Sequence, residues 1–274
     1  MAFVGGKCVL DISLALDSLA APGEPDNLVL CVPLVSYLSA YHRDIASHFL
    51  SMTPQLCESA DDLELSFCSS HSNALIPWNV PVGVIRDLVS SGGGSPNRLN
   101  LVVRFRSSKR VGESIIDYKA PQLFGSLFLN QIKVALTMRG KGVSQFNILS
   151  KENVDALQMI ASGVTNDEDI LQTFHNSSRD VFPQSEADSL TGSGVAAVKV
   201  YVLGKDEVFS TVMSVPFLGS SGPSTVDDML SRYDLSGYCC LTHGITLKPD
   251  TPIEFLQHNC YFADGFVHLI AIRS

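Results

Sequence analysis

Few groupings in this sequence could do chemistry, and each demands its own geometry. Cys239-Cys-Leu-Thr-His243 places a thiol near an imidazole, the pairing that a cysteine-dependent hydrolase requires. Cys240 and His243 stand three apart in an expected strand, so their side chains leave on opposite faces and that chemistry is disfavoured. Gly92-Gly-Gly94 lacks the Gly-Lys-Ser/Thr of a phosphate loop and reads as a plain loop. No Gly-x-Ser-x-Gly elbow occurs. The seven cysteines (Cys8, Cys31, Cys57, Cys68, Cys239, Cys240, Cys260) form no CxxC pair and no zinc spacing. Neither a cofactor nor a metal is expected. His268 alternates with apolar neighbours and reads as a satisfied core histidine. Trp78, between Pro77 and Pro81, reads first as a core anchor. Arg98, Arg104, Arg106, Lys109 and Arg110 are five bases without an acid, by default a solvated face and alternatively a contact for anionic lipid.

One lysine stands apart. Over Pro121–Arg139 the residues Gln122, Ser126, Asn130, Lys133 and Thr137 recur at intervals of four, four, three and four, a polar stripe along one helix face. Leu123, Phe124, Leu127, Phe128, Ile132, Ala135 and Leu136 form the broad apolar face. Lys133 is therefore expected to face solvent. The chain has only nine lysines, so few compete with it; Lys141 lies just beyond the helix.

The elements that must position these residues fall into three regions. In 1–107, Lys7–Leu16 and Leu28–Val32 read as strands, with the turn-rich Ala21–Asn27 between them. The spacing Leu34, Leu38, Tyr41, Ile45, Phe49 predicts an amphipathic helix after Pro33. Leu63–Cys68 and Leu99–Phe105 alternate as strands around a short helix at Val82–Val89. That order, β-β-α-β-helix-β, is what a β-grasp domain needs. Residues 108–190 are expected to be helical: Pro121 opens one helix, Ser150 caps a second, and Asn166-Asp-Glu-Asp169 begins a third. After a polar linker at Pro183–Gly194, residues 191–274 repeat the first pattern. Val195–Leu203 and Val208–Val215 form a hairpin, Ser224–Tyr233 a helix, Cys239–Thr242 a strand, Pro252–Gln257 a helical turn and Phe266–Ile272 a last strand. The expected fold is α+β, two ubiquitin-like β-grasp domains flanking a helix-rich domain.

Composition narrows the function classes. The 274 residues are 45% hydrophobic and 17% charged, which suits a folded chain and not a disordered one. Acids outnumber bases 28 to 19, for a net charge of −9, so an extended nucleic-acid surface is disfavoured. Asp11 and Asp17 interrupt the apolar opening, so no secretory signal is expected. No charge-free window is long enough for a membrane-spanning helix. Free cysteines suit a reducing, cytoplasmic setting.

Six stretches then resemble the autophagy protein 5 family. Leu75-Ile-Pro-Trp78-Asn-Val-Pro81-Val-Gly83-Val-Ile-Arg-Asp87 resembles its Trp-x-x-Pro-x-Gly-x-x-x-Asp segment, and Leu30-Cys-Val-Pro-Leu-Val-Ser36-Tyr37-Leu38 its Pro-x-Val-Ser-Tyr-Leu segment. His243-Gly244-Ile245, Thr251-Pro252-Ile253 and Phe266-Val-His268-Leu are similar to its C-terminal signature. Phe128-Leu-Asn130-Gln-Ile-Lys133 is similar to the stretch that carries the family's acceptor lysine. The resemblance implies a non-catalytic scaffold. A ubiquitin-like protein, autophagy protein 12, would be joined to Lys133 (Lys141 the fallback) by transient carrier enzymes. With the coiled-coil autophagy protein 16, the conjugate would promote lipidation of autophagy protein 8 on phosphatidylethanolamine. The chain would then be cytoplasmic and recruited to the forming autophagosome (phagophore) membrane through peripheral contact. It further implies structural roles for Trp78, Pro81, Gly83, Asp87, Gly244 and Pro252. Relatives usually place an acid directly after the acceptor, whereas Val134 stands here. Non-covalent binding of the ubiquitin-like partner therefore stays open beside the covalent link.

Overall fold

The structure is a computed structural model that describes residues 6–15, 25–50, 64–70, 75–90, 97–106, 121–163, 170–182, 194–204, 208–219 and 222–273. The Gly92–Gly94 loop, the Asn166–Asp169 helix start, nearly all of the 183–194 linker, Lys109 and Arg110 lie outside them.

Strand β1 (Lys7–Leu14) shows how the first sheet forms. Cys8, Leu10, Ile12 and Leu14 alternate inward with residues that stay at least partly wet, the period-two pattern of a half-buried strand. It pairs antiparallel with β2 (Leu28–Pro33) and parallel with β5 (Arg98–Arg106). β3 (Glu64–Ser69) and a short β4 (Leu75–Ile76) complete the order β2-β1-β5-β3-β4. Helices α1 (His42–Leu50) and α2 (Val82–Ser90) bury Ile45, Phe49, Ile85 and Leu88 in this unit's core. The helix expected from Leu34 starts later. Tyr37 is extended, bridges Pro81 and donates its N–H to the Ala161 carbonyl, and only a 3-10 turn at Leu38–Tyr41 precedes α1. Tertiary hydrogen bonding overrides the helical spacing there.

Four helices follow: α3 (Pro121–Met138), α4 (Val143–Asn147), α5 (Lys151–Ala161) and α6 (Ile170–Val181). The pattern gave no sign of α4, which is barely one turn. Ser150 occupies the cap position of α5, but its side chain makes no capping bond.

In the second sheet, β6 (Val195–Leu203) and β7 (Val208–Pro216) form a hairpin, and β8 (Leu218–Gly219) with β9 (Gly222–Pro223) a small ribbon. α7 (Val226–Arg232), β10 (Tyr238–Thr242), β11 (Ile245–Thr246), α8 (Ile253–Asn259) and β12 (Val267–Arg273) follow. The sheet order β7-β6-β12-β10-β11 repeats the first, strand for strand. Thr225 and Asp228 close a capping box on α7, which satisfies two N–H groups of the first turn.

The two cores interlock. Tyr201, Phe262 and Ile270 of the second unit pack into the first core, while Val35 and Tyr37 of the first join the core that the helices share with the second sheet. Accordingly β6 and β12 are buried on both faces, and read as near-continuous apolar runs.

Candidate functional site

Helix α3 buries Phe124, Phe128, Ile132, Ala135 and Leu136 and leaves Ser126, Asn130 and Thr137 exposed, so the polar stripe is real over its described part. Lys133 lies on that stripe but is half-buried, not fully solvent-facing: its Nζ sits 4.7 Å from the centre of the Phe146 ring on α4. The expectation missed this cover because the unforeseen α4 supplies it. Val134, beside it, is 48% exposed. Lys141 is also half-buried, beyond the Gly140 turn (φ 74°) that ends the helix.

Gln131, two residues before Lys133, fixes the helix from both sides. Its Nε2 donates to the Asn79 carbonyl of the Trp78 segment at 3.1 Å, and its Oε1 accepts from Lys199 Nζ on β6 at 3.2 Å. Lys199 belongs to a buried polar group that the sequence did not disclose. Its ammonium lies 3.5 Å from Asp264 Oδ2 and 4.1 Å from the centre of the Phe266 ring. Asp264, fully buried, also accepts from the Phe266 N–H at 3.1 Å and lies 3.1 Å from His268 Nε2. The Tyr201 hydroxyl is 2.8 Å from His268 Nδ1. A neutral ring protonated on Nε2 satisfies both contacts, with Tyr201 donating to Nδ1 and Nε2–H donating to Asp264. Burial pushes the Asp264 carboxyl up, but His268, Lys199 and the N–H donors outweigh it and hold it well below the usual carboxylate range. Burial lowers His268 and Lys199. His268 is thus a satisfied core histidine, and it is also one member of a polar junction that reaches α3 through Gln131.

Of the family-motif residues, Gly83, Asp87 and Gly244 meet at the seam between the two sheets' units. Trp78 is half-buried against the first core, and Pro81 bridges Tyr37. The Gly83 N–H donates to the Leu34 carbonyl at 2.7 Å, so closely that a Cβ would stand 3.1 Å from that oxygen. Asp87 accepts from Arg86 Nη2 at 2.7 Å and from the Gly244 N–H at 2.9 Å, a direct link across 157 residues of chain. Burial raises the Asp87 pKa against the pull of these donors. Gly244 has φ 78°, in the left-handed region that glycine tolerates. Pro252 sits extended at the start of α8 and bridges Thr225.

The remaining groupings do not assemble catalytic chemistry. Burial pushes the Cys240 thiol up to about 12, so it stays protonated and non-nucleophilic. His243 is not in the strand but in the following turn, at φ 50°. Its ring stacks 4.3 Å from that of Phe262 and bonds the Cys260 carbonyl at 3.0 Å. Burial lowers its pKa to about 4. A cavity of about 230 Å³ beside it is lined by Gly6, Lys7, Leu34, Gly83, Arg86, Asn97 and His243, with no nucleophile–base pair. Among the described residues no cluster of His, Cys, Asp or Glu could hold a metal ion, and no helix is long and apolar enough to cross a membrane. Of the basic run, Arg98 is exposed and ion-paired with Asp11, and Arg104 is half-buried opposite Ser66. Arg106 pairs Glu64 in the ladder.

Two sheets of identical ubiquitin-like order, sealed to each other and to a helical layer whose longest helix carries Lys133, define a two-lobed ubiquitin-like scaffold. Known proteins agree with that class. The family model described as autophagy protein ATG5, UblA domain, matches residues 4–105, and that of the ATG5 UblB domain matches residues 153–271. The chain belongs to the autophagy protein 5 family. Among solved structures, the crystal structure of Kluyveromyces marxianus Atg5 is similar in fold. Its TM-score is 0.73 at 16% identity, covering 98% of this chain and 96% of that one.

Proposed function

We propose that this chain is the acceptor scaffold of an autophagy conjugation system. In this reading Lys133 takes autophagy protein 12 through an isopeptide bond. The product, with the coiled-coil autophagy protein 16, promotes lipidation of autophagy protein 8 on phosphatidylethanolamine at the phagophore. The scaffold itself is non-catalytic, acts from the cytoplasm, and divides into a first ubiquitin-like domain (1–107), a helix-rich domain with linker (108–190) and a second ubiquitin-like domain (191–274).

The observation that carries the proposal is the setting of Lys133. It lies on the wet stripe of a helix whose other face is buried, and Gln131 ties that helix to both flanking units. Such anchoring fixes the amine's approach before a carrier enzyme arrives, and so reduces the entropy lost on reaction. The attacking amine must be neutral, which an ordinary lysine is only about once in a few thousand at pH 7. The carrier enzyme or desolvation at the docked interface supplies the deprotonation.

A second reading has its own observation. The Phe146 ring lies under Lys133 Nζ in a cation–π contact, and Val134 leaves an apolar, exposed position beside it. Both suit a partner that docks non-covalently over this spot. Co-expression with autophagy protein 12 and its activating and carrier enzymes separates the two. A mobility shift abolished by Lys133→Arg supports the isopeptide link, and co-purification without a shift supports the non-covalent complex. A shift that survives both Lys133→Arg and Lys141→Arg overturns the assignment of either lysine. Peripheral membrane contact through the basic run of Arg98, Arg104, Arg106, Lys109 and Arg110 completes the proposal.

A further inference from the structure

We propose that β7 is an open docking edge that takes an extended segment of a partner protein as an additional strand. β7 is the last strand of its sheet and pairs with β6 alone, from Val195↔Pro216 to Leu203↔Val208. Among the described residues no backbone group of Val208–Pro216 bonds outward, so every second residue offers an N–H and a C=O to solvent. The other edges differ. β4 and β11 are two residues long, and β2 is six. β7 is nine residues long, VFSTVMSVP, without one charge and with a proline only at its end. Native sheets blunt such edges with charge, internal proline or brevity. This one has none of those devices.

The chemistry of the edge states its occupant. A row of alternating donors and acceptors is satisfied in full only by another extended backbone. Phe209–Val212 are exposed in succession, with Phe209 at 55% and Val212 at 48%. Phe209 and Val212 are three apart and therefore flank an added strand on opposite faces. The fitting segment is uncharged at its centre and carries apolar or β-branched side chains on both faces. A second copy of this chain is the poorer fit, because each copy carries −9 and pairing would bring like charge together. Inside the molecule the strand is held to the last turn of α3, where Ser214 Oγ donates to the Met138 carbonyl at 3.2 Å. A docked segment would therefore lie beside the C-terminal end of the helix that carries Lys133, yet nothing in its binding depends on that lysine's reactivity.

The test uses the full chain, isotope-labelled, and a defined probe: a peptide with the β6 sequence Val195–Leu203, its central Lys199 replaced by threonine, and solubilising terminal lysines. A scrambled peptide with the same lysines reports adventitious attraction to the acidic chain. Fluorescence anisotropy should show saturable binding of the β6 peptide and not of the scramble. Amide exchange should slow at alternate residues within 209–215. Phe209→Lys with Val212→Lys, both at exposed positions, should weaken binding by roughly tenfold or more without moving the thermal midpoint. Thr211→Pro and Val212→Pro provide a check that folding alone cannot mimic. Only one of these neighbours points its N–H at β6, so the other should fold normally and lose the peptide. The proposal is overturned if the outward amides are already protected in the free chain, or if the double-lysine variant binds as the parent does. It also falls if sedimentation shows a dimer that the same substitutions dissolve, since the occupant would then be a second copy.

Discussion

Asp264→Asn tests whether the buried junction holds the three parts of the chain in register. Asparagine keeps the shape and can still accept from His268 Nε2–H and the Phe266 N–H, so the chief change is loss of the anion facing Lys199, 3.5 Å away. Asp264 is fully buried and the Lys199 side chain is 13% exposed. Removing one partner of such a pair leaves an uncompensated charge and costs about 3–5 kcal/mol. Lys199 can shed its proton, which burial already favours, so the lower end of that range is expected near pH 7. The double variant Lys199→Met, Asp264→Asn removes both charges and places an apolar chain on the Phe266 ring that now carries the ammonium. It should recover to within roughly 2 kcal/mol of the parent. Urea unfolding at pH 7 measures all three variants, and amide exchange along α3 reports whether Gln131 still holds the helix. A cost below about 1 kcal/mol for Asp264→Asn would refute the reasoning. So would a double variant no more stable than the single.

Three further outcomes are expected. His243 has a folded pKa near 4, below its unfolded value of about 6.5, so the unfolded state binds the proton first. Its contribution is therefore complete above about pH 6.5, is lost as pH falls towards 4, and amounts to at most about 3 kcal/mol. His243→Asn, which tolerates the left-handed turn, should flatten the urea-midpoint profile between pH 7 and 4.5, and an unchanged slope would count against it. Gly244→Ala meets a φ of 78° and places a Cβ 3.1 Å from Arg86 Nη2. It should destabilise by about 1–2 kcal/mol, a loss that thermal unfolding would detect. Replacing Lys109 and Arg110 by glutamine should lower partitioning onto anionic liposomes by roughly thirtyfold at low salt, at about 1 kcal/mol per base. Equal binding by parent and variant would remove those bases from the membrane-contact proposal.

Local pattern alone disclosed much of the architecture. Alternation in β1 and β3, the 3.6-residue periodicity of α3 and α5, and the ββα order at both ends are written in nearest-neighbour preferences, and two copies of one topology could be read from them. The family segments were likewise legible as strings, Trp78 to Asp87 above all. Lys133 could be placed on the polar stripe of α3 because helical geometry fixes which side chains share a face. Periodicity could not show what another element lays over that stripe. The short α4, too brief to leave a pattern, brings Phe146 against the lysine and makes an exposed amine half-buried. Tyr37 resists the helical spacing around it because its partners, Pro81 and Ala161, lie far along the chain.

The junction of Lys199, Asp264, His268, Tyr201 and Gln131 shows the same division. Each residue alone is an ordinary letter in an apolar run or a turn. Only packing brings their charges within hydrogen-bond reach in a dry interior, where an ion without its partner is costly. The link from Asp87 to Gly244 spans 157 residues and has no trace in either segment's spacing. Local preferences set the elements and their faces, and the motif strings set the family. Packing settled which faces are sealed together and which lysine is covered. Among the described residues it also left the nine-residue β7 paired on one side only, because those outcomes depend on contacts between parts of the chain that no local preference relates.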